Sequence, residues 1–192
     1  MTISPADALA LIENRQSIGQ LVEPAPQPEQ LAQAIQAALS APDHHRLRPW
    51  SFIQIQGDAA RTAFGQALLA ALKASGETDP VQWERVQAQP FRAPLILACV
   101  VKVQQHPKVP EVEQVLSMGA AVQNLLLMLH AQGFAGMWRS GALVESAELK
   151  QALGIAAQDI IAGLVYIGTP ARAITPRERL PVADFLRIWP QA

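Results

Sequence analysis

Apolar residues recur along this chain first at helical and then at strand spacing, and each change of period marks an element boundary. Ser4 can cap a helix whose first position suits Pro5 and whose positive end suits Asp7. Its apolar face is Ala8, Leu9, Leu11 and Ile12. After the Pro-rich connector EPAPQPEQ, Pro28 opens a second helix with Leu31, Ala34, Ile35, Ala38 and Leu39 at helical spacing, and Pro42 ends it. SFIQIQ alternates like a strand with one wet face. Asp58 is expected to cap an alanine-rich helix running to about Ala74, and Asp79 with Pro80 to start a short one. APLILACVVKV is continuous, apolar and β-branched, which predicts a buried central strand.

From Glu113 to Gln132 the pattern loses its wet face, because Val115, Leu116, Met118, Val122, Leu125, Leu126, Leu127 and Leu129 fall all round a helix. Such a helix has to be buried, in a core or between subunits, and Gly133 stops it. AGMWRSGAL reads as a strand running into a turn, ESAELKQALG as a short capped helix ending at Gly154, and DIIAGLVYIG as another buried strand. The tail beyond Pro170 is rich in Pro and Arg and closes on VADFLRIW. No internal repeat or long linker divides the chain. The order α, α, β, α, α, β, α, β, α, β predicts one domain over residues 1–192, an α+β fold with helices on both faces of a sheet.

Composition narrows the function classes. Half of the 192 residues are apolar, 16% are charged, and the net charge is −1. No basic excess marks a nucleic-acid binder. So few charges over so much apolar surface imply that a second copy of the chain covers part of it. Cys99 is alone, which excludes an internal disulfide and points to a reducing compartment. The N-terminus has no basic leader before an apolar block, and no run approaches the ~18 apolar residues of a membrane span. The expectation is a cytoplasmic protein that binds neither membrane nor nucleic acid.

The polar knot APDHHRLRPW is the conspicuous exception to this sparing use of charge. It does not read as a metal site: His44, His45, His106, His130 and Cys99 lack the i, i+4 or C-x-x-C spacing of familiar zinc ligands. Cys99 lies in a strand pattern, no G-x-S-x-G elbow exists, and there is neither a G-x-G-x-x-G nor a Walker sequence. Anion and ring binding remain. Three segments carry the groups: NRQS at 14–17, SAPDHHRLRPW at 40–50 and WRSG at 138–141. Guanidinium and hydroxyl groups suit a phosphate, and His and Trp suit a planar ring. Each arginine alone reads more readily as a solvated loop residue, and Trp138 alone as a core aromatic; spacing only permits the three segments to converge.

In this order the segments resemble the nitroreductase family of flavoproteins, and its small single-domain members in particular. NRQSIGQLVEPAPQPEQL is similar to the family's opening RRS motif with its connector, and APDHHRLRPWSFI to its APS..N.QPW.F stretch. FRAPLIL, SMGAAVQNLLLMLHAQGFAGMWRSG and LVYIGTP match further landmarks, so the likeness runs from Ala8 to Pro170. It implies a mixed central sheet flanked by helices, a homodimer, FMN bound without a covalent link in two interface sites, and NAD(P)H as co-substrate. Arg15, Gln16 and Ser17 would reach the phosphate and ribityl end, Ser40 and His44 would lie near the flavin, and Trp138, Arg139 and Ser140 would line it. Met128, Leu129, His130, Ala131, Gln132 and Gly133 match a stretch associated with NAD(P). Relatives commonly carry arginine at the positions of Gln16 and Ser40. The implied activity is ping-pong hydride transfer from NAD(P)H through FMN to a nitroaromatic, quinone or other flat oxidant, with no side chain as acid, base or nucleophile. The rival is a flavin carrier or sensor without turnover. Arg46 and Arg48 stay open between pocket and surface.

Overall fold

The computed structural model describes residues 3–175 and 177–189. Its helices begin where short polar side chains satisfy free backbone N–H groups. In α1 (Pro5–Asn14) Ser4 Oγ accepts from Asp7 N at 3.1 Å, and in α4 (Pro80–Gln87) Asp79 accepts from Val81 N at 2.9 Å. Gln27 and Gln30 cap α2 (Pro28–Ala38) reciprocally. Ser146 caps α6 (Ala147–Ala152), accepting from Leu149 N at 3.2 Å. In α3 (Asp58–Ala74) the expected cap is corrected. Gly57 holds the cap position, where its φ of 82° suits glycine, and Asp58 is the first helical residue, paired with Arg61 at 2.6 Å.

The strands are β1 (Leu21–Val22), which the apolar pattern does not announce, β2 (Trp50–Gln56), β3 (Leu95–Val101), β4 (Ala135–Arg139) and β5 (Ile160–Pro170). They lie in the order β1-β5-β3-β2, with β4 also on β5. All four ladders are antiparallel, and the parallel element among the described residues is the bridge Ser17–Gly136. β3 is central and wholly buried, as its composition predicts. Leu95, Leu97, Cys99 and Val101 pack towards α2 and the long helix, whereas Ile96, Ala98 and Val100 pack towards α3 and α6. Each leucine, isoleucine and valine among them stabilises the fold by ~1.5–3 kcal/mol. Burial pushes the Cys99 thiol up to about 12, so it behaves as an inert packed group.

That long helix, α5 (Glu111–Ala131), ends in a Schellman arrangement at Gly133, whose φ is 86°. Gly133 N donates to His130 O at 3.0 Å and Phe134 N to Leu129 O at 2.9 Å. With a mean hydropathy of 1.3 over a membrane-length window, α5 is long and apolar enough to cross a bilayer, contrary to the expectation that no run comes near it. Its burial against α2 and the sheet gives it the ordinary role of a core helix. The all-round apolar character is only partly buried by this chain: Val112 and Leu116 are 59% and 66% exposed. α1 buries none of its residues, and Leu9 and Ile12 stay half exposed.

Candidate functional site

The end of β4 and the segment after α1 come together. Ile18 N donates to Gly136 O at 3.2 Å, which lays residues 15–20 along the free edge of β4. Alternation along the strand turns Ala135, Met137 and Arg139 towards the α3/α6 face. A Cβ added to Gly19 would lie 3.2 Å from Met137 Sδ and 3.4 Å from Arg139 Nη2, so glycine here leaves room for the Arg139 guanidinium. That guanidinium lies over the Tyr166 ring, 5.5 Å from its centroid, and its Nε is buried without a partner. Arg15 likewise leaves both Nε and Nη1 buried and unpartnered. Burial and, second to it, the nearby Arg177 push the Arg15 guanidinium below its ordinary value. A guanidinium with buried donors unspent and a second cation acting on it fits a multiply charged anion.

Trp138, Arg139 and Ser140 line a hollow of about 510 Å³, within the usual size of small-molecule sites. Gln89 and Arg92 join them from the turn before β3, and Tyr166 from β5; Leu68, Met137 and Leu143 add apolar wall. Trp138 is 40% exposed, and its indole N–H donates to Ala162 O at 3.1 Å. It lies over Gly163, where any side chain would collide with it.

The polar knot is built differently. Asp43 accepts from Leu47 N at 3.2 Å and from Arg48 N at 2.7 Å, and so stabilises a backbone in which His45, Arg46 and Arg48 all take left-handed φ. Trp50 Nε1 donates to Ser117 Oγ at 3.1 Å, which donates to Pro42 O at 2.6 Å, tying the knot to α5. His44 Nδ1 lies 2.6 Å from Glu113 Oε2, and Ser40 Oγ donates to Gln36 O at 3.2 Å. His44 lines a hollow with Glu113, Leu116 and Ser117 that shares no residue with the Arg139 hollow. Within one chain, therefore, the structure brings segments 14–17 and 138–141 together and leaves segment 40–50 apart. Arg46 and Arg48 are exposed and line neither hollow. Among the described residues no group of His, Cys, Asp or Glu could hold a metal ion.

Residues 128–133 form the end of α5. Leu129 is buried, and Gln132 Nε2 donates to Gln30 O at 3.1 Å and to Gln33 Oε1 at 3.0 Å, fastening that end to α2. Met128 packs against the core, His130 is half-buried, and Ala131 is exposed. Gln16 is occupied by the tail: its Nε2 donates to Thr175 O at 2.7 Å, and its Oε1 accepts from Arg177 Nε at 3.2 Å. Ser17 is exposed beside it, lining a smaller hollow with Gly19 and Arg172. Sequence reasoning misses Arg92, Tyr166 and Arg177. The signal available for Tyr166 is that the chain's single tyrosine interrupts an apolar strand.

Residues 12–169 match the model of the nitroreductase family. The chain is 44% identical to the Escherichia coli strain K12 protein named "Putative NAD(P)H nitroreductase YdjA", over 85% of this chain and 88% of that one. A "Putative NAD(P)H nitroreductase" of Haemophilus influenzae is 37% identical over the same shares. Among solved structures, a nitroreductase-like family protein of Bacillus cereus superposes over both whole chains with a TM-score of 0.82 at 21% identity. A "putative nitroreductase in complex with FMN" from Desulfovibrio desulfuricans does so with a TM-score of 0.72 at 25% identity.

Proposed function

The chain belongs to the nitroreductase family, and from that premise we propose that it is an FMN-dependent NAD(P)H oxidoreductase working as a cytoplasmic, single-domain homodimer. When bound, the isoalloxazine ring supplies the hydride chemistry, taken from a nicotinamide and passed to a flat oxidant. The observation that carries this reading is the set of buried, unpartnered N–H groups on Arg15 and Arg139. These two residues lie on segments far apart in sequence that meet at the edge of β4.

The chain's own groups then have distinct tasks. Arg15 and Arg177, with the Ser17 hydroxyl, would hold the phosphate, whose negative charge would offset the repulsion between the two guanidinium groups. Arg139, which Gly19 leaves room for, would be the fixed cation beside the ring, favouring its electron-rich state. Trp138 and Ser140 border the ring from the strand end. Ser40 and His44 would act from the partner subunit, since in one chain they lie apart from Arg139. The exposed Val112, Leu116, Leu9 and Ile12 supply apolar surface for that partner to cover. At the end of α5 the carbonyl end of the helix disfavours phosphate, so residues 128–133 contribute by fixing α5 on α2, with His130 and Ala131 as the groups a dinucleotide could meet.

One preparation tests the reading. The purified protein should be yellow, sediment at about 41 kDa, twice its 20.7 kDa chain, and bleach with NAD(P)H under argon. A yellow protein that NAD(P)H cannot bleach would make it a flavin binder without turnover. A colourless one that rejects FMN would overturn both readings.

A further inference from the structure

Beyond the groups already given a task, the Arg139 hollow holds a second guanidinium, Arg92, at the end of the turn Gln89–Arg92, and the hydroxyl of Tyr166. The ion pairs among the described residues are those of His44, Arg61, Lys102 and Arg179, so neither Arg92 nor Arg139 has a carboxylate partner there. No acidic side chain lines the hollow. Tyr166 is 2% exposed, and the Arg139 guanidinium lies over its ring. Burial raises the Tyr166 pKa, while the charges of Arg139 and Arg92 pull it down, so both cations bear on that hydroxyl. Arg92 also borders an adjoining hollow of about 210 Å³ with Arg85, which extends the positive character towards solvent. Leu68, Leu143, Val144 and Leu164 make the remaining walls apolar.

We propose that Arg92 and the Tyr166 hydroxyl, beside Arg139, form an anion-reading shelf that selects flat ligands carrying a carboxylate or phosphate group. The apolar walls take the body of such a ligand. The planar Arg92 fork takes its acidic end, with the hydroxyl as a further donor. A neutral ligand of the same shape gains the walls and leaves the cations unpaired. Two sources supply this chemistry: an acidic substituent on the electron acceptor, or the 2′-phosphate of NADPH. The proposal rests on the flavoenzyme reading for its biological meaning, but the site itself is a property of the folded chain.

Calorimetric titration of the protein as purified, with no electron donor present, separates the two. The probes are 4-nitrobenzoate against 4-nitrobenzamide, and NADP⁺ against NAD⁺. The wild type should bind the charged member of at least one pair about tenfold more tightly. Arg92→Gln should erase that preference, Arg92→Lys should keep part of it, and Tyr166→Phe should weaken it about threefold. Thermal melting of each variant confirms that it is folded. A preference confined to the nitrobenzoate pair assigns the shelf to the acceptor, and one confined to the dinucleotides assigns it to the donor. The absence of any preference, or one that survives in folded Arg92→Gln, overturns the proposal. Because no turnover is read, failure of FMN binding or of bleaching by NAD(P)H stands as a separate result.

Discussion

Arg139 and His44 belong to two halves of the proposed site, and the protein holds them in opposite ways. Around His44 the polar side chains are spent on the chain itself: Nδ1 on Glu113, both Asp43 oxygens on the backbone of residues 47 and 48, and Ser40 Oγ on Gln36 O. Around Arg139 and Arg15 three buried guanidinium nitrogens have no partner. Each such group costs about 1–3 kcal/mol when left unpaired. Arg61 also leaves its Nε unpaired, but its terminal nitrogens donate to Ala93 O and Asp58. Neither Arg15 nor Arg139 has any hydrogen bond from its guanidinium among the described residues. Side chains spent on the chain itself serve the fold, and buried donors left open are shaped for a ligand.

The largest test of that contrast is Arg139→Ala. If the open donors face FMN, the substitution should remove roughly 1.5–3 kcal/mol of FMN binding, a tenfold to hundredfold rise in Kd by flavin fluorescence titration. Thermal stability should hold or rise, because a buried unpaired group is lost. Arg139→Lys should recover only part of the affinity, since an ammonium lacks the planar fork. Equal FMN affinity in wild type and Arg139→Ala would remove Arg139 from the site.

On the satisfied side, the contrast predicts damage to the fold and little to the ligand. Asp43→Ala deprives Leu47 N and Arg48 N of their acceptors in a stretch with three left-handed residues. It should destabilise the protein by about 1–2 kcal/mol, which lowers Tm by roughly 2–8 °C at this chain length. FMN affinity of the folded variant should fall less than about threefold. A loss as large as that of Arg139→Ala would show that the knot, too, is shaped for the cofactor.

The two halves also differ in how far the sequence reveals them. Caps at Ser4, Asp79 and Ser146 and the buried run of β3 are legible because their causes lie within a few residues. The same local logic could have found the knot's latch, since Asp43 reaches N–H groups only four and five residues ahead. The shelf is illegible for the opposite reason. Arg92 ends a turn, Tyr166 lies inside an apolar strand, and Arg139 closes another; only the pairing of β4 with β5 brings the last two together. The exposed face of α1 is hidden in the same way, because helical spacing announces an apolar side without saying which surface covers it.

Gln16 gives the finest test, because it is a satisfied side chain inside the open half. Both ends of its amide are committed to the tail, at Thr175 O and Arg177 Nε. It therefore touches the anion site only through Arg177, whose charge bears on Arg15. Holding two guanidinium groups together is unfavourable without an anion and favourable with one, so releasing Arg177 should relieve the empty protein and weaken the loaded one. Gln16→Ala is expected to raise the Kd for FMN only about twofold to fivefold, near 0.4–1 kcal/mol. The electrostatic origin gives it a signature beyond size. The wild-type affinity should fall more steeply with salt than that of Gln16→Ala, as screening removes a contribution the variant has already lost. Arg177→Ala should show the same flattened salt dependence. A loss in Gln16→Ala that matches Arg139→Ala and ignores salt would mean that the Gln16 amide itself meets the cofactor, and the division between satisfied and open groups would fail at this residue.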